Sequence, residues 1–295
     1  MIIQEFRKFL KRNIKKEYTI FGQNITTGSR ISGLTHEIEK IKSIKIYNTQ
    51  NSEATLVGFG LGMMLNKKNS IYFAKQLDFL LLAMDQIVNT FNYILNKKLI
   101  GSFSIITYIV DSGFEGPQSR LHSLQEIASF SFAECTYLIF PGDIEINLKK
   151  INNNKLNIFC LSQKNFKSKE NPKLINSFQE KKIFQYRKGK KGTVVAIGFS
   201  AYKALEIINK KNLDVDFYVI TDPLCKLNNN LINNILVKNF LYVFDDSRSK
   251  VKNFDYIYKK ILSKKPKFKI VIFCREENEN KLKINDDSYK VNYEF

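Results

Sequence analysis

A glutamate, Glu53, stands four residues ahead of the small, glycine-interrupted run Val57-Gly58-Phe59-Gly60-Leu61-Gly62, in the segment NTQNSEATLVGFGLG that begins at Asn48. A carboxylate entering so apolar a stretch must be desolvated or paired, and either state makes it a candidate for exchanging a proton with a ligand. The competing reading is structural: an acid at the start of a helix is satisfied by backbone donors and by the helix's positive end, with no chemistry required. Only two histidines occur, His36 in GLTHEI and His122 in HSLQEIASF, and imidazole can supply a proton or stabilise a developing oxyanion. His36 reads as a surface or packing residue. Asp78 and Asp85, either side of LLLAM, read first as structural acids of a helix start.

The elements that must position these groups follow from periodicity. QEFRKFLKRNIKK places Phe6, Leu10 and Ile14 on one helical face and cations on the other, a helix packed on a domain or laid on a membrane surface. YTIF (18–21) and residues 43–47 read as strands, the second arriving at the Glu53 motif. From Leu80 to Lys97 the apolar set Leu80, Met84, Ile87, Val88, Phe91, Ile94 and Leu95 keeps helical spacing. FSIITYIV (103–110) is a continuous β-rich run of the kind buried on both faces. YLIF (137–140) and NIFCL (157–161) repeat it, with a helix over 123–132 between. Beyond a polar, cationic stretch, strands at 193–198, 215–220, 240–244 and 268–273 alternate with helices at 200–211, 231–236 and 254–262. Helix alternating with buried strand predicts an α/β protein of two doubly wound domains. The expected boundaries are 1–165, a basic linker over 166–192, and 193–295.

Composition narrows the classes. With 295 residues, 44% of them hydrophobic and 13% aromatic, the chain has the length for about two cores and the means to fill them, which excludes a disordered polyelectrolyte. The net charge of +19 raises nucleic-acid binding. The cations are overwhelmingly lysine, mixed with many Asn and Ile, a bias that AT-rich coding also produces, so nucleic acid is not the expected partner. Residues 149–191 hold 13 Lys or Arg against Glu170 and Glu180, which marks a solvated linker or a face for an acidic protein. Cys135, Cys160, Cys225 and Cys274 stand too far apart in sequence for a zinc or redox motif and read as reduced thiols. No apolar run approaches the ~20 residues of a bilayer span, and no apolar signal core follows the basic N-terminus, so a cytoplasmic location is expected.

NTQNSEATLVGFGLG, LDFLLLAMDQIVN (77–89), and GPQ followed by HSLQEIASF between 116 and 130 occur in an order that resembles the β subunit of the 2-oxo-acid dehydrogenase decarboxylase component, a transketolase-like thiamine-diphosphate enzyme. The similarity continues in the C-terminal α/β unit, with Thr193 opening its first strand and Asp222-Pro223-Leu224 after its second. The resemblance implies a pyrimidine-binding domain followed by a transketolase C-terminal domain. It implies thiamine diphosphate as cofactor, with Glu53 keeping the aminopyrimidine ring protonated, Gln76 and Phe79 lining the cofactor pocket, and His122 contacting substrate carbonyl or intermediate. A helix-start histidine with no catalytic task is the alternative for His122. The implied reaction is decarboxylation of a 2-oxo acid, with the acyl or aldehyde unit passed to lipoamide or another acceptor. Two rivals remain: the C-terminal half of a split transketolase, which two histidines disfavour, and a non-catalytic scaffold or regulatory subunit that has kept the fold.

The chain departs from the family where the cofactor would sit. Gly22-Gln23-Asn24 stands where Gly-Glu-Asp is common, Gln76 stands where an aromatic packs on the pyrimidine ring, and Ser119-Arg120-Leu121 separate GPQ from His122. Phe73 and Phe79 are the candidates for the missing apolar surface. The Gly-Asp-Gly start of a magnesium–diphosphate site is absent, and Pro141-Gly142-Asp143 followed by Asn152-Asn153-Asn154 mimics it at too short a spacing. The resemblance therefore implies an α-type partner that holds Mg2+ and the diphosphate, a heterotetramer in which this chain also self-associates, and a possible acyltransferase core.

Overall fold

The computed structural model describes residues 1–14, 17–41, 44–95, 101–111, 123–245 and 254–274. They form two compact units, 1–169 and 170–295.

In the first unit six strands lie parallel in the order β2-β1-β3-β4-β6-β5. They are β1 (Tyr18–Gly22), β2 (Lys45–Asn48), β3 (Asn69–Phe73), β4 (Phe103–Ile109), β5 (Glu134–Tyr137) and β6 (Leu156–Ser162). β4 and β6 are buried along their whole length, as their unbroken apolar sequences require of strands covered on both faces. Helix α1 (Ile2–Asn13) covers one face through Ile2, Phe6, Phe9 and Leu10, with Phe6 edge-on to Phe73 at 6.4 Å. Helix α2 (Glu53–Leu65) covers the other, where Phe21 of β1 lies 5.1 Å from Phe59 and stacks 5.5 Å from Tyr72. Helices α4 (Gln125–Phe130) and α5 (Pro141–Leu148) complete the connections.

Three local expectations change. The helix read over Leu80–Lys97 is a 3-10 segment, Leu77–Ala83, then a π-helical turn, Gln86–Thr90, then α3 (Phe91–Leu95). The buried residues explain it: Leu77, Leu80 and Ala83 are three apart, whereas Ala83, Ile87 and Phe91 are four apart. The 3-10 turns bring the residues three apart onto one line toward the sheet. The strand read at 137–140 lies earlier, at Glu134–Tyr137, because Pro141 starts α5 and Asp143 takes the amides of Ile139 and Phe140 at 3.0 and 2.8 Å. Strand β3 was not among the strands expected from the sequence.

The second unit is a six-stranded sheet in the order β12-β11-β9-β10-β8-β7. β9 (Gly192–Ile197), β10 (Val215–Ile220), β11 (Phe240–Asp245) and β12 (Lys269–Cys274) run parallel, alternating with α6 (Ala201–Lys210), α7 (Asn229–Leu236) and α8 (Phe254–Lys264). Val195, Leu231, Ile235, Val243, Ile257 and Ile261 are among its core residues. The stretch 166–192, expected as a basic linker, contains β7 (Asn176–Phe178) and β8 (Ile183–Arg187); β8 pairs antiparallel with β10, and β7 antiparallel with β8. Ile183 to Tyr186 are buried, and cations occupy the turns on either side, at Lys181 and at Lys188, Lys190 and Lys191. The segment's charge sits on turns of a folded sheet.

Candidate functional site

β1 leads to β2 on one side of it and the chain then returns to β3 on the other, so the strand order reverses at β1 and β3. Ligands of open α/β sheets gather outside the carboxyl ends of strands at such a reversal. Gly22 closes β1 beside Phe73 of β3, and a Cβ on Gly22 would lie 2.5 Å from the Phe73 carbonyl oxygen, an approach only glycine allows. The Gly22 carbonyl accepts from the Thr49 amide at 3.0 Å, and Asn48 Oδ1 accepts from the Ile25 and Thr26 amides at 2.9 and 3.2 Å. These bonds fix the loops after β1 and β2 side by side.

Glu53 enters from the second of these loops as the first residue of α2 and is only 6% exposed. Among the described residues its carboxylate has neither a hydrogen-bond nor an ion-pair partner, so no backbone donor satisfies it as the structural reading required. Tyr72 of β3 is its electrostatic neighbour: burial first, and the Glu53 charge second, push the Tyr72 phenol well above the ordinary tyrosine range. The position of α2 is set by close packing. A Cβ on Gly60 would meet the Phe103 ring at 2.2 Å, and Phe103 stacks with Phe21 at 6.3 Å, which in turn stacks on Tyr72.

Three further buried polar atoms follow the same three strands. Gln23 Oε1 after β1, Thr49 Oγ1 after β2 and Gln76 Nε2 after β3 have no hydrogen-bond partner among the described residues. The Gln76 side chain is the most enclosed, in a residue 7% exposed. Phe79 lies three residues on, half-buried in the 3-10 segment. Phe73 does not supply a wall beside Glu53. Consecutive strand residues face opposite sides of a sheet, and Phe73 packs on Phe6 of α1 whereas Tyr72 faces Glu53.

Other sequence candidates separate from this site. His122 lies outside the described residues, and His36 is exposed. Asp78 is buried in the first turn of the 3-10 segment, and Asp85 is exposed and accepts from Asn89 Nδ2 at 2.8 Å. Asp143, of the Pro-Gly-Asp triplet, is fully buried with its carboxylate engaged by the Ile139 and Phe140 amides. Asn152 bonds to Tyr18, and Asn153 to Glu134 and Asn157, so this stretch serves the framework. No group of three or more His, Cys, Asp or Glu among the described residues could hold a metal ion. The four cysteines form no disulfide, and burial, followed by the nearby Asp111 charge, raises the Cys160 thiol. No helix among the described residues is long and apolar enough to cross a membrane.

Sequence reasoning missed Tyr72 and Thr49. Thr49 lies inside the quoted motif, but nothing in its type separates it from an ordinary loop threonine. Tyr72 was findable through NSIYFA, a short β-rich run after the polar Asn66-Lys67-Lys68 turn.

Two mainly parallel sheets flanked by helices, one per unit, make a transketolase-like two-domain α/β fold. No protein-family model matches the chain, and no curated protein does. Among solved structures it is similar to a split-gene transketolase determined as an inactive β4 tetramer, with a TM-score of 0.65 and 12% identity, over 95% of this chain and 89% of that one.

Proposed function

We propose that this chain is a β-type subunit of a thiamine-diphosphate-dependent 2-oxo-acid decarboxylating enzyme and contributes the aminopyrimidine half of a shared site. The observation that supports it most is Glu53, a carboxylate nearly closed off from water at a strand-order reversal and without a partner among the described residues. The loops after the three neighbouring strands add buried polar atoms without partners among the described residues, an amide donor at Gln76 and acceptors at Gln23 and Thr49, a set that suits a nitrogen heterocycle. When bound, thiamine diphosphate supplies a carbon nucleophile for a substrate carbonyl. Glu53 holds a proton against a ring nitrogen, and its enclosure keeps water from competing for that proton. Tyr72 stays neutral beside it and adds no second negative charge. Gln76 and Phe79 orient the ring, and His122 assists at the substrate carbonyl. An α-type partner holds the diphosphate and Mg2+, and the active assembly is a heterotetramer, on which an acyltransferase core could dock.

The fold neighbour supports a second reading equally: the C-terminal half of a split transketolase, moving ketol units between sugar phosphates. One experiment separates the readings. The chain is co-purified with a subunit carrying Gly-Asp-Gly and a downstream asparagine, titrated with thiamine diphosphate and Mg2+, and assayed for carbon dioxide release from 2-oxo acids and for ketol transfer. Release of carbon dioxide is expected, with Glu53→Gln lowering turnover by roughly 10²-fold or more, the scale of a lost acid–base group. Ketol transfer alone selects the transketolase reading. No cofactor binding by the pair, or unchanged turnover in Glu53→Gln, refutes the catalytic reading and leaves a scaffold.

A further inference from the structure

β9, β10, β11 and β12 begin at one level of the second sheet, with Gly192 beside Val215, Thr193 beside Leu241, and Phe240 beside Lys269. The loop before each strand brings lysine to that level. Lys188, Lys190 and Lys191 precede β9, and Lys210 and Lys211 precede β10. Lys238 precedes β11, and Lys264, Lys265 and Lys267 precede β12, which itself starts at Lys269. Hydrogen bonds tie the loops into one surface: the Lys191 amide donates to Asp214 O at 3.0 Å, the Asn239 amide to Lys191 O at 2.9 Å, and Lys265 Nζ to Leu236 O at 3.4 Å. Two acids adjoin them, and both are engaged. Asp214 Oδ1 accepts the Lys190 amide at 3.0 Å, and Asp216 accepts the Gly189 amide at 3.0 Å and pairs with Lys238 at 3.0 Å. Helices α6, α7 and α8 end at this level, but three carbonyl ends of about −0.5 charge each offset fewer than two cations. Nor does composition explain the excess. At the opposite, carboxyl end of the same sheet the described residues hold Lys181, Lys182 and Lys226 against Glu180, Asp222 and Asp245, an even balance.

In the middle of these cations stands Val237, 79% exposed, the most exposed large apolar side chain among the described residues. Its turn opens β11, which lies between β12 and β9, so the lysines before β12 flank it on one side and those before β9 on the other. We propose that the amino end of this sheet is a docking surface for an extended acidic segment of a partner protein, in which one apolar residue covers Val237 and carboxylates on either side of it meet the lysines. Adjacent strands lie about 4.8 Å apart, so the surface is roughly 15 Å across, the length of about five extended residues. Lysine presents a point charge on a flexible stem and meets carboxylates without a fixed geometry. A nucleic acid suits this surface less well: the four loops offer no exposed aromatic ring for a base to stack on, and a sugar–phosphate chain leaves Val237 uncovered. The surface is independent of the cofactor reading above.

The test is fluorescence anisotropy with the purified full chain and three labelled probes: a peptide with one leucine between two short runs of alternating Asp and Glu, the same peptide with serine for leucine, and a DNA duplex of about 20 base pairs. The leucine peptide should bind saturably and weaken as salt is raised, and the serine peptide should bind roughly tenfold more weakly. Lys191→Glu combined with Lys265→Glu reverses charge on both sides of Val237 and should weaken the leucine peptide by about tenfold or more. Lys45→Glu combined with Lys67→Glu, at exposed lysines of the first unit, should change it by less than about twofold. Val237→Ser should bring the leucine peptide down to the serine peptide's affinity and leave the serine peptide unchanged. Lys188→Glu combined with Lys267→Glu serves as the second pair if the first does not fold. Equal losses from the two regions reduce the effect to net charge and overturn the proposal, as do equal binding of the two peptides and the absence of saturable peptide binding. Duplex binding tighter than that of the leucine peptide and indifferent to Val237→Ser assigns the surface to nucleic acid and overturns it as well. None of these outcomes bears on Glu53.

Discussion

Helix α2 offers a controlled comparison, because three glycines on one helix face three different surroundings. A Cβ at Gly62 meets nothing within 4 Å, one at Gly58 touches only Gln86 at 3.7 Å, and one at Gly60 would sit 2.2 Å from the Phe103 ring. Alanine gains about 0.8–1 kcal/mol over glycine in a helix interior, and that gain is common to all three sites. Gly62→Ala and Gly58→Ala should therefore stabilise by up to about 1 kcal/mol. At Gly60 the added methyl must displace a fully buried ring that stacks with Phe21, and overpacking of this kind costs typically about 1–3 kcal/mol. The propensity gain cancels in the difference between Gly60→Ala and Gly62→Ala, so the gap between them measures packing alone, roughly 1–3 kcal/mol. At roughly 2–4 °C per kcal/mol for a unit of this size, the two midpoints should separate by about 2–12 °C in a thermal scan, Gly60→Ala lower. Urea unfolding should give the same order. If Gly60→Ala matches Gly62→Ala, α2 is not seated on Phe103, and the chain of contacts from Phe103 through Phe21 and Tyr72 to Glu53 loses its first link.

The same contact can be read by titration. Tyr72 should ionise at higher pH than an ordinary tyrosine in ultraviolet difference spectra, with Tyr72→Phe identifying its signal, and Glu53→Gln should lower its midpoint by removing a negative neighbour. The midpoint should still remain above the ordinary value, because burial is the larger cause; an unmoved midpoint would place Glu53 elsewhere. Asp143→Ala should lower the stability of the first unit by about 2–3 kcal/mol in urea unfolding, since it strips charge-assisted bonds from two buried amides. Glu53→Gln removes no hydrogen bond among the described residues and replaces an unpartnered buried acid by a neutral amide, so it should not lower the stability of the first unit. A loss as large as that of Asp143→Ala would make Glu53 a framework residue.

Strands whose two faces are both covered were legible because burial on both sides leaves an unbroken apolar run, as in FSIITYIV and NIFCL. The alternation of such runs with amphipathic stretches also indicated the two α/β units. β3 was missed because Asn69 and Ser70 dilute its apolar run at the start. β8 was missed because lysines in the flanking turns swamp the signal of Ile183-Phe184-Gln185-Tyr186, although all four side chains are buried. The segment after β3 kept its apolar count but not its geometry: its first buried residues, Leu77, Leu80 and Ala83, are three apart and lie in line on 3-10 turns. Gln76, a sequence-level candidate for the pocket, ends β3's turn as an enclosed amide; no residue type could have announced that its partner would be missing.

Glu53 and Asp143 show why local sequence could not separate a working acid from a framework one. Both follow a parallel strand, both stand in the first turn of a helix, and both are nearly or fully buried. Asp143 curls back onto the amides of Ile139 and Phe140, so its desolvation is offset inside the fold. Glu53 has no such bond among the described residues: the loop before it is held instead by Asn48 and by the Thr49–Gly22 bond. The carboxylate is left facing the reversal of strand order with its bonding capacity intact. A nearly enclosed carboxylate at a reversal of strand order, without a partner among the described residues, is left for something that arrives from outside.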